Sequence, residues 1–186
     1  MASRICLLFI VATLIGIPTS CSSSKDLARQ DSPDARILDV EVKDAIRRFK
    51  AADPSIERFF QDSYGYVVFP AVGKGAVGIG GAHGEGQVYR GGKLVGVATL
   101  SQVTVGFQLG GQEYREIVFF KDEDAFRDFT DNRLEFSGNA SAVAARSGAA
   151  ATADYENGVA VFTMPTAGAM FEASVGGQQF DYSPLR

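Results

Sequence analysis

Histidine and cysteine are nearly missing from this chain, with one His and two Cys in 186 residues. A single imidazole cannot build a multi-histidine metal site, and it leaves His83 as the one candidate base for a nucleophilic triad, with no Ser in a nucleophile elbow to serve. Cys6 lies in a stretch that reads as a removable leader. Cys21 is then without an intramolecular partner, and disulfides and cysteine-based metal sites are excluded from the mature chain. Excess basic charge is also absent: 18 Lys and Arg against 22 Asp and Glu give a formal net charge of -4. Such a balance has no footprint for displacing counterions from phosphates, so nucleic acid is not expected as a partner. Carboxylates are numerous, but sequence selects no pair of them for acid and base work. No catalytic residue, metal or cofactor is assigned, and the chain is not expected to be an enzyme.

What is present begins with "MASRICLLFIVATLIGIPTSCSSSKD", with one early positive charge at Arg4 and an apolar run from Ile5 to Ile17. A helix of about thirteen residues reaches roughly 20 Å, short of the ~30 Å hydrocarbon core, so residues 1–20 read as a signal peptide rather than a permanent span. Thr19 and Ser20 before Cys21 resemble the bacterial lipobox, in which the thiol receives a diacylglycerol and becomes the mature N-terminus. Pro18 stands where that pattern usually has Leu, and the alternative is cleavage nearby with Cys21 left as a free thiol. Several acyl chains would hold the protein firmly on a membrane. The localisation expected is export, periplasmic or anchored to an envelope membrane through Cys21 if lipidated. Residues 21–32 are polar and read as a tether; 33–186 read as a single domain.

Helix signals open that domain. Ser32 can cap, Pro33 suits a first turn, and Leu38, Val42, Ala45, Ile46 and Phe49 recur at helical spacing. Arg36, Lys43, Arg47 and Lys50 form a narrow stripe beside that apolar face, the pattern of a helix that lies on an anionic surface. The alternative is a helix covering the core, with Asp39–Lys43 and Asp44–Arg48 pairing within it. Asp53 and Pro54 then start a second short helix with Ile56, Phe59 and Phe60 inward.

From Tyr64 the period changes to two. "YGYVVFP" reads as a strand ended by Pro70, and the segment to Gln102 as short strands around turns, with a hairpin at Gly91-Gly92. In "QVTVGFQLGG", Val103, Val105, Phe107 and Leu109 alternate with Gln102, Thr104, Gly106 and Gln108, one face for the core and one for solvent or a neighbouring layer. "EYREIVFF" is apolar enough at its end for burial on both sides. Asp122 caps a short helix with Ala125, Phe126 and Phe129 inward. "FSGNASAVAARSGAAATA" is ambiguous between helix and strand, and two further strands close the chain. The fold class expected is α+β: N-terminal helices, then a mostly antiparallel, glycine-rich sheet, barrel-like or sandwich, with one inserted helix.

Gly73, Gly75 and Gly78 carry GxGxxG spacing, but their context excludes a nucleotide loop. That loop joins a strand to a helix whose amides receive the pyrophosphate, whereas here "IGGAHGEG" follows, which no helix tolerates. Kinase and Walker A patterns also fail. Glycine here reads as tight turns, strong bending or close approach of another layer.

The run "YGYVVFPAVGKGAVGIGGAHGEGQVYRGGKLVGVATLSQVTVGFQLGGQEYREIVFF", with "FSGNASAVAA" and "NGVAVFTMPTAGAMFEASVGG" after it, resembles the SYLF domain family over about residues 35–182. Bacterial members are commonly secreted or lipidated, and eukaryotic members bind phosphoinositide membranes and associate with actin. The resemblance implies a non-enzymatic lipid-binding domain whose helix before the sheet touches the membrane. Carried to this chain, that points to Lys43, Arg47, Arg48 and Lys50, with Lys74 in the first glycine turn, as headgroup contacts. It also implies that "FSGNASAVAA" is a strand. The partner expected is an anionic phospholipid or membrane surface; actin is not expected for a protein exported from a bacterium. The alternative is a structural or scaffold envelope protein whose glycine-lined sheet packs against another polypeptide.

Mass spectrometry of the native N-terminus checks the leader directly. The expected species begins at an acylated Cys21; an unmodified thiol there, or retention of residues 1–20, would remove the anchor.

Overall fold

The computed structural model describes residues 28, 31–132, 135–137, 143, 144 and 146–185, with backbone alone at 78, 105–108, 135–137 and 169–176. The order is α1 (Pro33–Ala52), a 3₁₀ turn (Pro54–Ile56), α2 (Glu57–Asp62), β1 (Gly65–Arg90), β2 (Lys93–Phe120), α3 (Glu123–Thr130), β3 (Glu135–Ser137), β4 (Val143–Ala144), α4 (Ala149–Thr152) and β5 (Val159–Pro184). The α+β class expected from the sequence is the one observed. The sheet runs β1-β2-β5-β3, with β4 pairing parallel to β5 and the other ladders antiparallel.

The helices start where capping chemistry dictates. Ser32 Oγ accepts from the Ala35 amide at 3.1 Å, and Asp122 Oδ1 from the Ala125 amide at 3.0 Å, each satisfying an amide with no intrahelical partner. Asp53 caps the 3₁₀ turn through the Ser55 amide at 3.1 Å and Ser55 Oγ at 2.6 Å. Its second oxygen accepts from the Ala150 amide at 2.6 Å, tying α4 to the start of the chain. Burial works to raise the Asp53 pKa, but the donors of Ala150 and Ser55 outweigh it and hold the carboxyl below its ordinary range. Arg58 completes the clamp by donating to the Ala150 and Ala153 carbonyls while stacking on Phe59.

The strands depart from the reading as short pieces. Three continuous strands of 26, 28 and 26 residues form the sheet, and neither Pro70 nor Gly110-Gly111 ends one. Pro70 is accommodated because the β1–β2 register shifts between Phe69 and Val72, an interruption of the ladder at which its missing N–H costs little. Pro165 sits beside the corresponding shift between Glu113 and Tyr114 in the β2–β5 ladder. At this level of the sheet Gly110 and Gly168 take φ of 124° and 84°, so both ladders bend together. "GVAVFTMP" and "GAMFEASVGGQQF", expected as two strands, are one for the same reason. Within "FSGNASAVAA", strand structure is present at β3 and β4, with 138–142 and 145 outside the described residues.

Straight strands of this length would span about 85 Å. Instead the ends of β1 meet: the Gly91 amide donates to the Tyr64 carbonyl at 3.3 Å, and Tyr66 stacks on Tyr89 with ring centroids 5.0 Å apart. The sheet is doubled over, and glycine permits it. A Cβ on Gly86 would stand 2.5 Å from the Val68 carbonyl oxygen, one on Gly65 2.8 Å from that of Tyr89, and one on Gly84 2.9 Å from that of Ala71. No side chain fits at those crossings. The hairpin at Gly91-Gly92 is present, both residues with positive φ as a tight two-residue turn requires.

Alternation then builds two cores. Val67, Phe69, Val118, Phe120, Val159 and Val161 point into the doubled sheet, where Phe126 and Phe129 of α3 fill the space against Phe180. Val68, Ile117, Phe119, Ala160 and Phe162 point the other way, against Leu38, Val42, Phe49, Ile56 and Phe59 of the N-terminal helices. The "EIVFF" end of β2 is thus buried on both sides, as its composition predicts. Phe59 meets Phe162 edge-on at 4.9 Å and Phe119 at 5.4 Å, contacts worth about 0.5–1.5 kcal/mol each beyond simple burial.

Gly86→Ala should cost about 1–3 kcal/mol, because the methyl must displace backbone from both halves of β1. Gly73→Ala, with open space around it, should be neutral or slightly stabilising by about 0.4–1 kcal/mol. Urea unfolding of the two variants measures the contrast; equal effects would show that the crossing does not constrain the fold.

Candidate functional site

Two surfaces bear on the function read from the sequence. The first is the outward side of α1, where Lys43, Arg47, Arg48 and Lys50 lie together and are each paired with a carboxylate. Lys43 Nζ is 2.7 Å from Asp39 Oδ2, Arg47 Nη2 2.8 Å from Asp44 Oδ1, and Arg48 Nε 2.6 Å from Asp44 Oδ2. Lys50 Nζ lies 2.8 Å from Glu57 Oε2 and also covers the Phe60 ring at 4.5 Å. The Arg48 hydrogen bond, above all, lowers the Asp44 pKa, and the Lys50 hydrogen bond lowers that of Glu57. Exposed pairs of this kind contribute little stability, but they quench the helix's field: five basic residues stand against four acidic ones along α1. Ile37 and Val40 are exposed on the same helix. Lys74, half-buried, is on a different element, at the β1 position opposite Gln112. Cys21 lies outside the described residues.

The second surface is one that the periodicity foretells only in part. Along β1, Gly73, Gly75, Val77, Ile79, Gly81 and His83 face outward, whereas Val72, Ala76, Gly80, Ala82 and Gly84 face the interior. Of the glycines in the GxGxxG spacing, Gly73 and Gly75 lie within a continuous strand with no helix after them, and a Cβ on either would meet no atom within 4 Å. Across the ladder, Val77 pairs with Leu109 and Gly81 with Val103. Val77, Ile79, Val103 and Leu109 are 80%, 71%, 68% and 62% exposed, while the intervening Thr104 is buried. Val77, Ile79, Val103 and Leu109 thus point to solvent while Ala76, Gly80, Ala82 and Thr104 point inward. His83 is exposed at the edge of this row, as the glycine-rich context predicts.

A groove of about 380 Å³ separates the first turns of α1 from the β1–β2 hairpin, with Arg36 and Val40 on one wall and Leu94, Val97 and Leu185 on the other. Gln87 also lines it, and its Oε1 accepts from the Tyr89 hydroxyl behind it at 2.6 Å. Burial pushes the Tyr89 hydroxyl well above its ordinary range, so it remains a donor at any physiological pH.

Within the doubled sheet one ionisable group is buried completely. Glu116 Oε2 accepts from Gln178 Nε2 at 3.1 Å, a contact that joins the two layers, and Oε1 has no partner. Desolvation raises its pKa to about 7, with the Gln178 hydrogen bond opposing. Among the described residues no group of His, Cys, Asp and Glu is arranged to hold a metal ion, and no helix is long and apolar enough to cross a membrane.

Comparison with known proteins agrees with this architecture. Residues 101–182, from the middle of β2 to the end of β5, match the family model Ysc84, described as "Las17-binding protein actin regulator". The chain is also similar to beta cell expansion factor A of Aeromonas veronii, 24% identical over 151 residues, or 79% of this chain and 57% of that protein. It therefore spans little more than half the length of this relative. These matches support the resemblance to the SYLF (Ysc84) domain family that the glycine ladder implied.

Glu116 makes stability pH-dependent with a definite sign. Its folded pKa is raised, so the stabilising protonated form is complete below the unfolded value near 4.5 and is lost as pH rises toward about 7. A shift of this size is worth about 3 kcal/mol. Denaturant titrations should show stability falling between pH 5 and pH 8, and Glu116→Gln should flatten that slope and exceed the wild type at pH 8. An unchanged slope in the variant would assign the dependence elsewhere.

Proposed function

We propose that this SYLF-domain protein is a non-enzymatic module that binds anionic phospholipid surfaces, exported to a bacterial envelope and held there through an acylated Cys21. The observation that carries the reading is the outward row Val77, Ile79, Val103 and Leu109 at the uncovered end of the sheet. Large apolar side chains exposed side by side mark a membrane or protein interaction site. Burying one such side chain fully is worth about 1.5–3 kcal/mol, so even shallow insertion of four supplies several kcal/mol. Lys43, Arg47, Arg48 and Lys50 contribute a weaker, screened attraction, since each must share its charge with a carboxylate already beside it. Lys74 is on the same strand, but its odd spacing from Val77 places it on the opposite face, half-buried, so it adds nothing to the apolar row. The actin regulation in the family's description is not carried over, because an exported bacterial protein does not share a compartment with actin.

Co-sedimentation with phosphatidylglycerol-containing vesicles tests the proposal. The double variant Val77→Ser/Leu109→Ser, a cross-strand pair, should lose binding about tenfold or more with little dependence on salt. Lys43→Glu/Arg47→Glu should cause a smaller loss that vanishes as salt rises. Absence of wild-type sedimentation, together with crosslinking in cells to one envelope polypeptide, would replace this reading with the scaffold alternative.

A further inference from the structure

The groove beside α1 has a polarity that singles out one kind of ligand. Among the described residues every other basic side chain of α1 has a carboxylate partner, whereas Arg36 has none and stands at the groove wall. Asp39, the acidic residue in the lining, has its Oδ2 2.7 Å from Lys43 Nζ, so the two charges offset each other. Gln87 spends its carbonyl oxygen on the Tyr89 hydroxyl, which leaves its amide N–H groups as donors. The donors on offer are thus the Gln87 amide and the Arg36 guanidinium, the latter a positive charge that no carboxylate among the described residues offsets. The remaining walls are apolar: Val40 from α1, Leu94 and Val97 from β2, and Leu185 beyond β5, held in place by its amide donating to the Val95 carbonyl at 3.1 Å.

We infer that this groove is a binding site for a single alkyl chain bearing an anionic, acceptor-only head, with the Arg36 guanidinium on the head and Val40, Leu94, Val97 and Leu185 along the chain. A volume of about 380 Å³ falls at the small end of ligand sites, which run from about 300 to 1,000 Å³, and suits one chain rather than two. A guanidinium facing a carboxylate gives paired, charge-assisted hydrogen bonds. Each methylene that enters the groove should raise affinity about fourfold. The site does not include the outward row of the sheet, so it goes beyond surface binding and can fail without it.

The experiment is calorimetric titration of the purified protein with sodium octanoate, decanoate and dodecanoate below their micellar concentrations, with no vesicles present. Binding at one site should tighten with chain length, and dodecyl maltoside, with the same chain and a neutral head, should bind about tenfold or more weakly. Arg36→Gln should weaken dodecanoate by about tenfold or more. Leu94→Trp should abolish binding by filling the chain end, and Val40→Trp, at an exposed position, does the same should the first variant unfold. Vesicle co-sedimentation of Arg36→Gln should remain at the wild-type level. Equal affinity for the anionic and neutral amphiphiles, wild-type affinity in Arg36→Gln, or no heat with any fatty acid would each overturn the inference.

Discussion

The backbone contact between the two halves of β1 is the constraint on which the rest of the molecule depends. Gly65, Gly84 and Gly86 lie where a Cβ would strike a carbonyl oxygen or an aromatic ring. Because they are bare, a single long sheet can fold back on itself around an interior. That interior then needs filling, which Phe126 and Phe129 of the inserted α3 accomplish together with Phe69, Phe120 and Phe180. The opposite side of the same strands carries Val68, Ile117, Phe119 and Phe162, and it needs a cover of its own; α1, the 3₁₀ turn and α2 supply it. Each helix is placed by a demand that the doubled sheet creates.

The same constraint explains why apolar side chains end up outside. When a sheet folds with its small-residue face inward, the larger residues of the alternating pattern must take the convex side. Near the fold they have no helix above them. Val77, Ile79, Val103 and Leu109 are therefore exposed as a direct product of closure, and not as residues left over from a core. The lipid-meeting surface proposed above and the geometry that folds the sheet back call for the same sequence pattern. The α1 cations, by contrast, are arranged so that most of their charge is met within the helix itself.

Much of the fold was legible. Ser32, Asp53 and Asp122 cap as their positions suggest, because capping depends on local chemistry alone, and the inward faces of α1 and α3 follow from a 3.6-residue period. The Asp39–Lys43 and Asp44–Arg48 pairs were readable for the same reason. Strand length was not: Pro70 and Pro165 read as breaks, since nothing local reveals that a register shift in the neighbouring ladder coincides with each. Nor can alternation say which face is inner when one side is glycine and the other valine, for that is decided by a layer more than a dozen residues away along the same strand. Arg36 could be seen in the basic stripe, but its separation from the paired cations required the position of Leu185 and the hairpin. Glu116 stood unmarked in "EYREIVFF", where its neighbours gave the only hint of burial.

The pairing of β2 along its length with both β1 and β5 has a consequence for how the chain is made. Its ladder to β1 closes through a two-residue turn, so that hairpin can form early. Its ladder to β5 joins Phe120 to Val159 at one end and Gly96 to Pro184 at the other, and cannot form until almost the whole sequence is available. Until then β2 presents a long edge of unpaired backbone amides and carbonyls beside exposed valines, the kind of surface that recruits another copy of the same strand. Folding of this protein is thus a race between its own last strand and its neighbours' edges, one favoured by keeping nascent chains apart.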